Sequence, residues 1–174
     1  MDLRVEPLTA GAYAPYGEVL SASREGEPGK SANYGTARRF DHLVRLVNER
    51  PGAIPNLSVF RSSARTDFPF RVALLEKHPT STQVFVPMNA SRYLVVVALG
   101  LENPDMDTLR VFSATGCQGI SYRPGVWHHP LFNLDREADF ACIVYEDGSA
   151  GDCVEHTFDP ATPYFLSPHS PEAR

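Results

Sequence analysis

The sequence is poor in cysteine, carries no long apolar run and contains no basic block. Its three cysteines are Cys117, Cys142 and Cys153. An odd number with no C-x-x-C pair argues against a disulfide framework and against a cysteine-ligated zinc. A Cys nucleophile paired with one of the six histidines is an alternative, but it needs a basic neighbourhood that the sequence does not show, so each thiol reads as a small structural side chain. The longest apolar run, Leu94 to Leu99, falls far short of the roughly 20 residues that span a bilayer. The opening Met1 to Pro7 lacks a signal-peptide pattern, so a cytoplasmic location is expected. Net charge is −5 with acidic and basic residues interleaved, which speaks against a nucleic-acid surface. Internal repeats and domain linkers are missing too.

What the chain does have is punctuation. Fifteen prolines and twelve glycines divide 174 residues into short segments rich in Val, Phe, Leu and Tyr, the pattern of an all-β sandwich or barrel. Strands are expected at Asn56–Ser62, Phe70–His78, Gln83–Met88, Tyr93–Ala98, Gly119–Tyr122, Trp127–Leu131, Phe140–Tyr145 and Cys153–Phe158. A few short helices are expected beside them. One is a turn over Thr9–Ala14 with Thr9 as cap; another runs over Asp107–Ser113 with Asp105 or Asp107 as cap. Ser21–Ser31 reads as a surface loop. Residues 1–166 then form a single catalytic domain and 167–174 a flexible, Pro- and Ser-rich tail.

The segment Phe70 to His78 carries the chemistry. Strand side chains alternate, so Val72, Leu74, Glu76 and His78 share one face while Arg71, Ala73, Leu75 and Lys77 share the other. The two cations mark the second face as the wetter one. An apolar row that ends in Glu-x-His on the inward face needs partners for a buried carboxylate and imidazole. A metal ion supplies one, whereas a strand end emerging into solvent needs none. A turn over Pro79 to Ser81 returns Gln83 beside His78 on the same face. Later, Pro124-Gly125 turns the chain into Trp127, His128 and His129. Two adjacent histidines point to opposite faces, so at most one of them faces the interior.

These segments have the layout of the two cupin motifs, with Glu76-x-His78 and Gln83 in the first and Gly119, Pro124-Gly125 and His128 in the second. Glu and Gln stand where the first motif has His and Glu. The second is contracted by one, and Asn133 falls one place late. Beyond the motifs, the whole chain resembles the ureidoglycolate lyase family. The likeness runs through Val5–Ala10, Ala14–Glu18, Asn33–Phe40, Leu75–Pro79, Gln83–Pro87, Gly119–Pro130 and Asp152–His156, over roughly residues 3 to 160. It departs at Asn33-Tyr34-Gly35, where the family tends to have a second glycine.

The resemblance implies a cupin-like β-barrel (a double-stranded β-helix, or jelly roll), usually a homodimer. It implies cleavage of ureidoglycolate to glyoxylate and urea in allantoin and purine degradation. It also implies a divalent metal (nickel, zinc or manganese) and no organic cofactor. Such an elimination needs a group that stabilises a developing alkoxide, an acid for the leaving nitrogen and a cation for the carboxylate. The residues assigned to chemistry are Glu76, His78, His128 and His129. Glu76, His78, Gln83 and His128 are assigned to the metal. Arg123, Gln83, Trp127 and Glu155 are assigned to the substrate, with Arg61 and Arg92 as weaker candidates, a surface salt bridge as the alternative for Arg123, and Trp127 more readily read as packing. Rival readings are another metal-dependent cupin enzyme, a dioxygenase or isomerase, and a non-catalytic cupin that binds a small acid.

Overall fold

The computed structural model describes residues 2–22, 28–161 and 164–167. Two large sheets form the body. The first runs in the order Val154–Thr157, Leu74–Lys77, Trp127–His128, Arg92–Leu99, Asp105–Thr115 and Val5–Pro7, with Phe132–Asn133 also paired to Arg92–Leu99. The second runs Val19–Leu20, Gly119–Tyr122, Gln83–Pro87, Ala138–Glu146 and Ile54–Ser62. From Leu74 onward the chain passes repeatedly from one sheet to the other. That alternation is the topology of a jelly roll, and the fold is all-β as the composition predicts.

The first sheet is buried on both faces. Its Tyr93, Val95, Val97, Phe112 and Ala114 meet Phe85, Ile120, Tyr122, Phe140 and Cys142 of the second sheet in one core. On its other face Leu75, Leu94, Val96, Ala98, Val111 and Trp127 form a second core. That core is covered by a small sheet of Asp2–Leu3, Tyr164–Leu166 and Phe70–Val72. A sheet covered on both faces loses the polar-out alternation that a half-buried strand shows.

This double burial corrects two expectations. Phe70–His78 is not one strand. It breaks at Ala73 into Phe70–Val72 in the small sheet and Leu74–Lys77 in the first sheet. Leu75, assigned to the wet face, is fully buried in the second core together with Val72. The segment Asp107–Ser113 is not a helix but part of the strand Asp105–Thr115. The Asp105 carboxylate does accept the Asp107 N–H at 3.1 Å, the local bond that a cap would make. It does so beside a bulge, and pairing to Arg92–Leu99 on one edge and Val5–Pro7 on the other overrides the capping signal.

The helix Ala10–Tyr13 forms with Thr9 as its cap, Thr9 Oγ1 accepting the Ala12 N–H at 3.2 Å. It seats Tyr13 in the first core, where its hydroxyl donates to the Ser121 carbonyl at 3.0 Å. Gly17 permits that approach, since a Cβ there would lie 1.8 Å from the same oxygen. In the expected loop Ser21–Ser31, residues 23–27 lie outside the described residues, and its end forms a hairpin of Lys30–Ala32 with Ala37–Arg39. Of the expected tail, only Ser167 is among the described residues.

Candidate active site

Two corners of the chain build the site. The first follows Leu74–Lys77, where Pro79 to Thr82 carry the chain to Gln83–Pro87 in the other sheet and leave His78 buried at the bend. The second is the Pro124-Gly125 turn. Gly125 takes a left-handed φ of 77°, which a glycine adopts without strain. Its N–H donates to the His78 carbonyl at 2.9 Å, tying the two corners together. The chain then enters Trp127–His128 between Leu74–Lys77 and Arg92–Leu99, with His128 opposite both Glu76 and Val97. Directly opposed cross-strand residues share a face, so Glu76 and His128 point with Val97 into the first core.

Glu76, His78 and His128 each offer a donor atom, and those atoms all lie within 4.8 Å of one another. His128 Nε2 is 3.6 Å from Glu76 Oε1, beyond a hydrogen bond. The imidazoles of His78 and His128 are nearly parallel, with centroids 5.7 Å apart. On its other side His128 is stacked on Tyr122 at 3.9 Å, the planes 6° apart. His78 Nδ1 lies 2.7 Å from the Asp152 carbonyl and His128 Nδ1 lies 3.0 Å from the Val126 carbonyl. A carbonyl only accepts, so both Nδ1 atoms carry a hydrogen. Both Nε2 atoms are buried without a hydrogen-bond partner.

Electrostatics favour the ionised carboxylate and the neutral His78. Burial works to raise the Glu76 carboxyl, but the neighbouring His128, then His78 and His129, hold it below the ordinary range. Burial and the nearby His128 push the His78 imidazole down to about 4, against the pull of Glu76 and Glu146. A neutral imidazole with its Nδ1 hydrogen tied to a carbonyl presents an Nε2 lone pair, the usual arrangement of a metal-ligating histidine. With a carboxylate beside the two orphaned nitrogens, these residues fit a divalent transition metal.

The other expected site residues divide between the faces. Gln83 is buried opposite Tyr122, hence on the inner face, and its Oε1 has no partner. Glu155 is opposite Glu76 on the neighbouring strand, exposed at the rim. Trp127, assigned to substrate, faces the second core instead. Its ring meets His156 edge-on at 6.0 Å and carries the Lys77 ammonium at 4.3 Å. His129, assigned to chemistry, is likewise on the far side against Phe70 and Phe132, its Nδ1–H donating to the Pro130 carbonyl at 2.7 Å. Alternation along the strand sends both away from His128. The Arg123 guanidinium does not turn inward either; it is held by the Glu18 carboxylate at 3.1 Å. Arg61 and Arg92 pair with Asp139 and Asp135 on exposed positions.

Sequence reasoning missed Tyr122, the Asp152 carbonyl, and Cys153, whose Sγ lies 3.9 Å from Glu76 Oε2. Tyr122 had a findable signal, since it lies two residues before the Pro124-Gly125 turn on the expected strand Gly119–Tyr122. A backbone carbonyl has none.

The sequence model of a family described as ureidoglycolate lyase matches residues 1–164. Among curated relatives, a ureidoglycolate lyase of Pseudomonas putida (strain W619) is 36% identical over 167 residues, covering 96% of this chain and 98% of that protein. One from Pseudomonas paraeruginosa is 36% identical over 168 residues, 97% of each chain. Solved structures are more distant: a 3,4-ketoisomerase from Helicobacter canadensis aligns at TM-score 0.43 and 17% identity, over 79% of this chain and 89% of that one. A 3'-monoepimerase from Streptomyces bikiniensis aligns at 0.43 and 13%, over 60% and 52%. On the family match and the near full-length identity, the chain belongs to the ureidoglycolate lyase family.

Proposed function

We propose that the chain eliminates urea from ureidoglycolate to give glyoxylate, and that Glu76, His78 and His128 are the centre of that reaction. The observation that carries the assignment of the site is the pair of buried, unpartnered Nε2 atoms beside one carboxylate. The substrate carbon bears a hydroxyl, a carboxylate and a ureido nitrogen. In the reaction the hydroxyl loses its proton and becomes the aldehyde carbonyl, the carbon–nitrogen bond breaks, and the leaving nitrogen takes a proton as urea departs.

Glu76, His78 and His128 would hold a divalent cation, for which nickel, zinc and manganese suit the donor set. Such an ion supplies Lewis acidity that lowers the pKa of a hydroxyl placed against it and offsets the developing negative charge. Within the chain itself, the Glu76 carboxylate, kept ionised by its histidine neighbours, accepts the hydroxyl proton and returns it to the leaving nitrogen. The Gln83 amide oxygen, buried and unpartnered, accepts a ureido N–H. Glu155 at the rim takes the terminal amide. Tyr122, stacked on His128, keeps that ring from rotating out of line. The apolar core beneath excludes water, which strengthens each of these interactions.

The same reading includes residues 1–166 as one catalytic domain, a place in allantoin degradation, a cytoplasmic location and a homodimer. Support for the homodimer is the outer face of the second sheet, where Leu57 and Val59 are 72% and 63% exposed beside Val86. Unpartnered apolar faces of this kind mark association surfaces. Among the described residues, no helix is long and apolar enough to cross a membrane.

Two histidines and a carboxylate are also the donor set of oxygen-using metal enzymes, and one experiment separates the readings. Purified protein is incubated with ureidoglycolate, and urea, glyoxylate and ammonia are measured before and after treatment with a chelator and after return of each metal. Stoichiometric urea and glyoxylate, lost in His78→Ala and His128→Ala, are expected. Ammonia in place of urea would convert the assignment to a hydrolase. Unchanged rates in both folded variants would remove the cluster from the mechanism.

A further inference from the structure

The atom that fixes the His78 ring is a backbone carbonyl, that of Asp152, and backbone is held only as well as the loop that carries it. The loop 147–152, followed by Cys153, joins Ala138–Glu146 to Val154–Thr157, and Gly148, Ser149, Ala150 and Gly151 within it are exposed. No apolar side chain anchors it. What orders it is charge. The Asp152 carboxylate accepts the backbone N–H groups of Asp147 at 3.1 Å and Gly148 at 2.7 Å, and it also pairs with the Arg50 guanidinium. Arg50 further reaches Asp147 at 3.2 Å and donates to Ser149 Oγ at 3.1 Å. Its Nη1 lies so close over Gly151 that a Cβ there would sit 2.8 Å away.

Arg50 is itself tied to the other side of His78. The Glu49 N–H donates to the Thr80 carbonyl at 2.8 Å, and Asn48 forms a bridge with Ser81. One side chain therefore spans from the corner that follows His78 to the loop that receives its Nδ1–H. The Arg50 and Asp152 side chains are 19% and 14% exposed, so the pair is not a freely solvated surface contact.

We propose that Arg50 and Asp152 are positioning residues that hold the Asp152 carbonyl against His78 and so select the tautomer with hydrogen on Nδ1 and the lone pair on Nε2. The inference deepens the metal-site reading and rests on it for its functional consequence. Neither residue is among those assigned to substrate. Their effect passes through the ring orientation of His78, as a carbonyl behind a ligating histidine commonly acts.

The test reads the tautomer directly. Nitrogen-15 NMR of the histidine rings is recorded on metal-free protein, alongside zinc and nickel binding isotherms and thermal melting. The wild type is expected to show His78 as a single Nδ1–H tautomer. Arg50→Gln and Asp152→Asn are expected to show a mixture of tautomers and to weaken metal binding by about 10-fold or more, with Arg50→Lys recovering part of both. Should the variants melt lower yet keep one tautomer and wild-type metal affinity, the pair only staples the loop and the proposal is wrong. If the wild type binds neither metal while the tautomer still shifts in Arg50→Gln, the positioning role stands and the metal reading falls. Asp152→Asn keeps the loop's length and the side chain's size while removing its charge, so loss of folding in one variant leaves the other to decide.

Discussion

Trp127 and His128 are neighbours in sequence and strangers in space, and that separation can be measured. Trp127 is fully buried in the second core, beneath Lys77 and against His156. His128 is equally buried but faces Glu76 and His78. Trp127→Ala removes a large core side chain and should destabilise by about 3–5 kcal/mol, including about 0.5–1 kcal/mol from the lost cation–π contact. At roughly 2–4 °C per kcal/mol for a domain of this size, Tm should fall by about 6–20 °C. Trp127→Phe should lose far less, about 1 kcal/mol, because the indole N–H has no partner and its removal relieves an unsatisfied donor. Both variants should release urea at close to the wild-type rate below their Tm. His128→Gln should do the reverse, leaving Tm within a few degrees while kcat/KM falls by at least about 100-fold, close to 3 kcal/mol of transition-state stabilisation. Melting curves and urea release on the same preparations make the comparison. A Trp127→Phe protein with wild-type Tm and no activity, or a His128→Gln protein with full activity and a collapsed Tm, would refute the assignment of faces.

Gly17→Ala places a methyl 1.8 Å from the Ser121 carbonyl oxygen, which already accepts the Tyr13 hydroxyl, so the helix and strand must separate. A loss of about 1–3 kcal/mol or more in denaturant unfolding is expected, and an unchanged midpoint would show that the contact is not tight. The thiols should divide sharply in a disulfide-exchange titration at pH 8. Cys117 is exposed and should react at once, whereas burial pushes the Cys142 thiol up to about 12 and burial with Glu76 nearby pushes Cys153 up to about 11. A thiol whose pKa is raised that far gains reactive thiolate only as pH climbs toward that value, so both should stay slow until the protein unfolds. Fast reaction of Cys142 in folded protein would contradict its burial. Leu57→Glu with Val59→Lys should convert a homodimer to a monomer in analytical ultracentrifugation with activity assayed in parallel, and a mass that does not change would move the interface elsewhere.

How far the sequence reveals this structure depends on how far each signal is local. The capped turn at Thr9, the strands Gln83–Pro87, Arg92–Leu99, Gly119–Tyr122 and Ala138–Glu146 and the corner at Pro124-Gly125 are set by residues within a few positions, and they form close to where the pattern predicts, whereas the expected strand Trp127–Leu131 shrinks to Trp127–His128. The inward Glu-x-His pair was legible for the same reason, since a period of two needs no partner strand to be read. What misled was the assumption that a sheet has one wet face. Lys77 looks like a solvent residue, yet its ammonium lies over Trp127 and donates to the Leu101 carbonyl, with its stem covering apolar surface. Asp105 looks like a helix cap because its carboxylate makes a cap-like bond in a strand as well.

The strand alternation that places His128 inward also decides against His129 and Trp127, and this is the step that no local signal supplies. Adjacent histidines are interchangeable on paper. Only the register of Trp127–His128 against Ala98 and Val97 tells them apart, and that register is set by two cores competing for the same sheet. Trp127, the larger apolar side chain, has one favourable place, among Leu75, Val96 and Ala98. Putting it there forces the next residue to the opposite face, beside Glu76. A one-residue slip would bury His128 among the apolar residues of the second core and drive an indole between His78 and Tyr122. The position of the donor set is thus fixed by the burial of a residue that takes no part in the chemistry. That is why the site and the fold must fail together under any change that shifts this register, and separately under changes that do not.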